Sequence, residues 1–223
     1  MKRKVCIYTG SGASLAKDVE GALDKLNISY RKIAEKEIKK GDLKDHSVLV
    51  IPGGYTKRCV DALGEEGFRH IREFIRDGGG YVGICAGAYL ASGIVEVEGN
   101  PKGLGIINIK NIRKQGVGIR NIFITQPNHT ITSGYKGEIR IWYQNGPMMK
   151  AGEDTEVLAN YGEGYAAIVW AKFGSGKVVI FSPHPEGNLE KRINPQSLNT
   201  LKLLKNTILF VERHEKENET LEQ

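Results

Sequence analysis

Residues 81–92 read YVGICAGAYLAS, a short apolar run, a cysteine and a stretch of helix formers. Tyr81–Ile84 fits a buried strand, and Ala86–Ser92 restarts the chain as a helix. Cys85 sits at the junction, with Gly83 two residues before it and Gly87 two after. This is the cysteine counterpart of the G-x-S-x-G nucleophile elbow. A sharp strand-to-helix turn strains the backbone of the central residue and brings neighbouring chain close, so glycine is needed on both sides. The turn lifts the sulfur above the sheet and sets it at a helix N-terminus, where the thiolate is favoured. Read alone, the same residues also fit a buried structural cysteine between two packing glycines.

The segments before the elbow alternate strand and helix. Lys4–Thr9 (KVCIYT) is an apolar run ending in Gly10-Ser11-Gly12. Leu15, Val19, Ala22, Leu23 and Leu26 then recur at helical spacing, with Ser14 as the expected cap and Asp18 in the first turn. A strand is expected near Ile28–Ile33, a solvated charged connection over residues 35–46, and a buried strand at Ser47–Ile51 stopped by Pro52-Gly53-Gly54. Residues 65–77 form an amphipathic helix with Phe68, Ile71, Phe74 and Ile75 inward. Such alternation predicts βαβ units, a parallel sheet and helices on both faces. Residues 104–181 differ. They hold many short β-rich runs separated by turn signals, expected as antiparallel hairpins that extend the sheet or form a flap. A last helix is expected over about 197–213. The reading is one domain over residues 1–211, followed by a charged, frayed tail at 212–223.

Two further signals join the elbow. The apolar strand Lys177–Phe181 ends in Ser182-Pro183-His184-Pro185-Glu186-Gly187. A histidine just past a buried strand lies on the edge where parallel α/β sheets place their sites. Glu186 is placed to bond the far ring nitrogen and fix the tautomer. The turn Ile51-Pro52-Gly53-Gly54 ends the strand expected beside the cysteine strand. Its unshielded N–H groups, with that of Ala86, can face a developing oxyanion.

In this order and spacing, GICAG, PHPE and IPGG resemble the class I glutamine amidotransferase-like superfamily. GICAGAYLA, WYQNGP and AAIVWAKFGSGKVVIFSPHPEG are most similar to its biotin-protein-ligase N-terminal-like branch. The resemblance spans roughly residues 3–210. It implies an α/β, flavodoxin-like three-layer sandwich with a mainly parallel central sheet. It also implies a Cys85–His184–Glu186 triad, with oxyanion donors at Gly53 or Gly54 and Ala86. Many glutaminases of the superfamily continue the elbow as G-H-Q, where this chain has Gly87-Ala88-Tyr89. No biotinyl-adenylate loop of the G-R-G-R type is present. The expected activity is a cysteine-dependent amidohydrolase acting through a thioester on a small amide such as glutamine. Two alternatives stay open: a catalytically idle ligand-binding or regulatory subunit of the same fold, and an intracellular protease or deglycase type of enzyme.

Composition narrows the classes. The chain has 223 residues, 40% hydrophobic and 26% charged, a globular balance. No apolar run approaches the ~18–20 residues of a membrane helix, so no membrane partner is expected. Three cysteines without metal-type spacing argue against a disulfide scaffold and for a reducing cytoplasm. Scattered histidines imply no metal. Gly10-Ser11-Gly12-Ala13-Ser14-Leu15 lacks the third glycine of a dinucleotide loop, so no cofactor is expected. The net charge of +6 is concentrated in residues 101–150, where eight Lys and Arg face a single acid, Glu138. Residues 104–145 are expected to form a flap beside the pocket. Some of Arg113, Lys114, Arg120 and Arg140 would then face an anion, on a substrate or on a synthetase or ligase partner subunit. These cations are not interleaved with aromatics, which argues against nucleic acid. The oligomeric state is left open.

Overall fold

Strand residues facing alternate sides of the sheet are apolar on both, which is what buries a parallel sheet between two helical layers. A computed structural model describes residues 4–95 and 99–212. The expectation of a frayed tail at 212–223 lies, from residue 213 on, outside the described residues. The central strands are β1 (Lys4–Tyr8), β2 (Tyr30–Ile33), β3 (His46–Ile51), β4 (Gly80–Ile84) and β11 (Gly176–Phe181). They run parallel in the order β2-β1-β3-β4-β11. This is the flavodoxin-like order, with the sheet reversing its winding beside β1 and β3.

The helices are α1 (Ala16–Lys25), α2 (Glu35–Lys39), α3 (Thr56–Arg76), α4 (Ala86–Ala91) and α5 (Leu201–Val211). On one face Val5, Ile7, Val48, Val50, Val82 and Ile84 pack with Val19 and Leu23 of α1 and Leu204 and Ile208 of α5. On the other, Cys6, Tyr8, Leu49, Ile51 and Tyr81 pack with Phe68, Ile71 and Ile75 of α3.

The β-rich stretch supplies β5 (Ile109–Ile112), β6 (Val117–Ile124), β7 (Glu138–Gln144), β8 (Met148–Ala151), β9 (Glu156–Asn160) and β10 (Ala166–Phe173). Beyond β11 the sheet continues antiparallel as β10-β9-β6-β7, and β5 pairs with β8 against β10. The antiparallel extension is therefore part of the main sheet.

Several local expectations are corrected. Residues 35–46 are not a bare solvated connection. They hold α2 and a 3-10 turn at Asp42–Asp45, which bury Ile38 and Leu43. Helix α3 starts at Thr56 rather than 65, because Gly64 (φ 59°, ψ −174°) lets two helical pieces join across a kink. Ser14 does not cap α1. Leu15 is the N-cap and no side chain bonds there. The last helix starts at Leu201, after a series of turns.

Candidate active site

Cys85, Gly53 and His184 all follow the carboxyl ends of neighbouring strands. Cys85 comes directly after β4, Gly53 two residues after β3 and His184 three after β11. The registers Ile51↔Gly83 and Ile84↔Phe181 hold these three ends level. The Cys85 N–H donates to Phe181 O at 2.9 Å, which ties the elbow to the histidine strand.

The elbow carries the strain that its sequence implies. Cys85 has φ 51° and ψ −96°, a conformation that costs an L-residue of order 1–3 kcal/mol. Room for it comes from the flanking glycines. A Cβ on Gly83 would lie 2.6 Å from Gly87 O, and one on Gly87 would lie 2.3 Å from Ile51 O. Gly53 stands against the side chains of both Cys85 and His184. Its Cβ would fall 2.7 Å from His184 Cε1 and 3.5 Å from Cys85 Cβ. Ala86 opens α4, where the first N–H groups lack helical acceptors.

His184 is completely buried, and Glu186 nearly so. His184 Nδ1 meets Glu186 Oε1 at 2.7 Å. The backbone N–H of His184 donates to Trp142 O at 2.7 Å. The second ring nitrogen, Nε2, has no hydrogen-bond partner among the described residues, and the Cys85 thiol acts on the ring alongside Glu186. Burial alone would lower the histidine's pKa. The negative charge of Glu186, and of Cys85 when ionised, outweighs burial and holds it well above the usual histidine range. Glu186 Oε2 has no hydrogen-bond partner among the described residues. The Cys85 thiol donates to Gln144 O at 3.3 Å. Thiol, imidazole and carboxylate thus lie together at the ends of β4 and β11.

Cys85 opens into a cavity of about 500 Å³ shared with Ser14, Leu15, Gly54, Tyr55, Thr56, Lys57, Tyr89, Arg113, Gln144 and Asn145. Lys57 is engaged by Asp61, 2.6 Å away. Arg113 lies at the rim and forms no ion pair among the described residues. Among the described residues no carboxylate lines the cavity.

The other three basic residues of the expected anion contact lie elsewhere. Lys114 pairs with Glu163 at 2.8 Å, and Arg120 stacks over Tyr143 at 4.3 Å. Both border a separate cavity of about 430 Å³, and Arg140 is exposed on β7. Cys6 and Cys59 are buried in the core, and burial pushes both thiols up to about 12.

Sequence reading gave no part in the site to Gln144, Asn145, Asn188 or Asp18. The turn Gln144-Asn145-Gly146 presses on the elbow, with Tyr89 Oη donating to Asn145 O at 3.4 Å. Asn188 and the buried Asp18 extend that contact away from the cavity. A close approach was signalled only by Gly146, whose Cβ would sit 1.9 Å from Ser182 O. Among the described residues no group of three His, Cys, Asp or Glu side chains is arranged to hold a metal ion. No helix of the described residues is long and apolar enough to cross a membrane.

Comparison with known proteins returns a consistent set. The family model described as biotin-protein ligase, N terminal, matches residues 3–114. A biotin–protein ligase of Schizosaccharomyces pombe is 25% identical over 173 residues, covering 65% of this chain and 26% of that protein. This chain thus matches about a quarter of that ligase's length. The pyridoxal 5'-phosphate synthase subunit PdxT of Koribacter versatilis is 31% identical over 157 residues, covering 68% of this chain and 74% of the relative. Among solved structures, PurLQS from Thermotoga maritima aligns with a TM-score of 0.71 at 19% identity, covering 95% of this chain and 100% of that one.

Proposed function

Because this chain belongs to the biotin-protein ligase N-terminal family, within the class I glutamine amidotransferase-like superfamily, we propose that it is a cysteine-dependent amidohydrolase using Cys85, His184 and Glu186. The observation that carries the reading is the arrangement around His184. A buried imidazole is held at Nδ1 by a buried carboxylate 2.7 Å away, and its other side faces the thiol of a strained elbow.

The chemistry follows from those positions. Cys85 sulfur attacks the amide carbonyl as its proton passes to His184 Nε2. Glu186 stabilises the resulting imidazolium. The N–H groups of Ala86 and of Gly53 or Gly54 hold the oxyanion of the tetrahedral intermediate. The C–N bond then breaks, and His184 gives its proton to the departing nitrogen, leaving a thioester. Water attacks the thioester carbonyl, passing a proton to His184. That proton returns to sulfur as the acid product leaves. Arg113, which lines the cavity and forms no ion pair among the described residues, anchors a substrate carboxylate, which suits glutamine or a similar carboxylate-bearing amide. The kinship with a named synthase subunit supports a partner that consumes the released ammonia. Three free cysteines suit a reducing cytoplasm.

The test is ammonia release from glutamine and from a panel of carboxylate-bearing primary amides. Cys85→Ala and His184→Ala are each expected to lower turnover about 10⁴-fold or more, with the double variant no worse, because such residues act as a unit. Glu186→Gln is expected to cost less. Arg113→Ala is expected to raise KM with little change in kcat. Turnover that survives Cys85→Ala moves the chemistry to another site.

A further inference from the structure

Asp18 is a carboxylate buried on the first turn of α1, 6% exposed, and it makes no ion pair among the described residues. Burying a carboxylate without a cation is costly, and the site must repay it with hydrogen bonds. Both oxygens are used, and both reach across the chain to the segment that follows His184 and Glu186. Asp18 Oδ1 accepts from Leu189 N–H at 2.9 Å, and Oδ2 accepts from Asn188 Nδ2 at 3.3 Å.

Asn188 does not stop there. Its Nδ2 also donates to Gln144 Oε1 at 3.4 Å, and its Oδ1 accepts from Lys191 N–H at 2.8 Å. Gln144 is the residue whose carbonyl oxygen accepts the Cys85 thiol at 3.3 Å. One carboxylate thus holds two pieces of the site. It tethers the turn that carries His184 and Glu186, and through Asn188 it tethers the turn that touches the sulfur. The charged groups that face Asp18 are His184, Glu186 and Glu190, all from the segment after β11. Burial raises its pKa, the Leu189 N–H opposes that, and Glu186 adds to it.

We infer that Asp18 is a positioning residue for the Cys85–His184 pair, acting through Asn188 and Gln144 to fix the two turns between which the thiol and imidazole meet. The inference rests on the triad reading above, and it goes beyond it by adding a residue that touches neither substrate nor sulfur.

The experiment uses iodoacetamide as the probe, so no substrate need be known. The alkylation rate of Cys85 is followed by mass mapping from pH 5 to 10 in the full chain. Asp18→Asn is expected to slow alkylation at pH 7 about tenfold and to move the pH profile, since a misplacement near 1 Å can cost up to about a hundredfold. Asn188→Ala, which leaves the Asp18–Leu189 bond intact, is expected to act in the same direction and guards against a misfolded Asp18→Asn. The two changes together are expected to be no worse than either alone, the mark of one chain of contacts. Combining Asp18→Asn with Asn188→Asp exchanges donor and acceptor, lets the Gln144 amide turn to donate, and is expected to restore most of the rate. Val19→Ala, one residue along on the same helix and in the core, is expected to lower Tm while leaving the profile unchanged.

A wild-type profile in folded Asp18→Asn, or in Asn188→Ala, overturns the inference. So does an exchange variant that is folded yet as slow as Asp18→Asn. Failure of the triad reading looks different: His184→Ala would then leave the Cys85 profile untouched.

Discussion

At the scale of single residues, three cysteines of one chain have different chemical fates. Cys6 and Cys59 are sealed in the core, and burial pushes their thiols up to about 12. Cys85 opens on a cavity beside His184. Brief, substoichiometric iodoacetamide at neutral pH is therefore expected to label Cys85 first, because the thiolate is the nucleophile and access decides the rest. Peptide mapping checks it, and faster labelling of Cys59 or Cys6 in the folded protein refutes it. The positions of Cys85 and His184 were legible because each follows a strand end that glycines or prolines mark, and Glu186 follows His184 in the same turn. Asp18 was not. An acid in a first turn reads as a partner of the helix dipole, and nothing local shows that its oxygens serve an amide 170 residues away. Arg113, proposed above to hold a substrate carboxylate, stood in the sequence as one of four candidates. Its neighbour Lys114 is spent on Glu163, a pairing that depends on tertiary distance.

At the scale of elements, periodicity found the helices and misplaced their ends. The stretch after Tyr55 reads as helical and residues 65–77 as an amphipathic helix, but their union into one element across Gly64 does not show, since glycine inside a helical run reads as a break. Here the break is real but both sides are helical. Gly64 adopts φ 59° and ψ −174°, a region that is essentially glycine's alone, while open space surrounds the position where a Cβ would stand. Gly64→Ala is therefore expected to destabilise the protein by about 1–3 kcal/mol through the backbone alone. In an ordinary helix interior the same change is favourable by up to about 1 kcal/mol. Urea denaturation decides between the two signs. Helix α2 escaped notice for a different reason. EKEIKKGDLKDH offers only Ile38 and Leu43 to the core, too few for a moment to stand out among charges. Its hold on the protein includes a contact from α3, where His70 Nδ1 lies 2.7 Å from Ile38 O.

At the scale of the whole molecule, the parallel sheet, the switch to antiparallel strands and the two helical layers were all legible, since alternation and turn signals are dense along the chain. An antiparallel extension of the sheet was legible as one of two alternatives, while the order β10-β9-β6-β7 was not, because order among hairpins is set by pairings between distant strands. The closed core also sets how the protein meets alkali. Desolvation raises Cys6, Cys59, Tyr8, Tyr81, Tyr135, Tyr143 and Tyr161 above their ordinary values of 9.0 or 10.0. A group whose folded pKa is raised lends its stability in full below the unfolded value and loses it as pH climbs toward the folded one. Unfolding free energy is therefore expected to hold up to about pH 9 and then fall toward pH 12. Each deeply buried thiol contributes up to about 1.4 kcal/mol per pH unit in that window. Denaturation curves at pH 8, 10 and 11 measure the fall, and Cys6→Ala is expected to make it shallower. The pairing of β4 with β11 has a further consequence, an evolutionary one. Cys85 and His184 are 99 positions apart in the gene, yet the single register Ile84↔Phe181 sets their separation. Codons can be gained or lost at exposed turns such as 126–128 or 162–164 without moving sulfur relative to imidazole. One codon lost within β11 moves it by a full strand step. Descendants of this chain can therefore lengthen or shorten those turns freely while inheriting the strand ends unchanged.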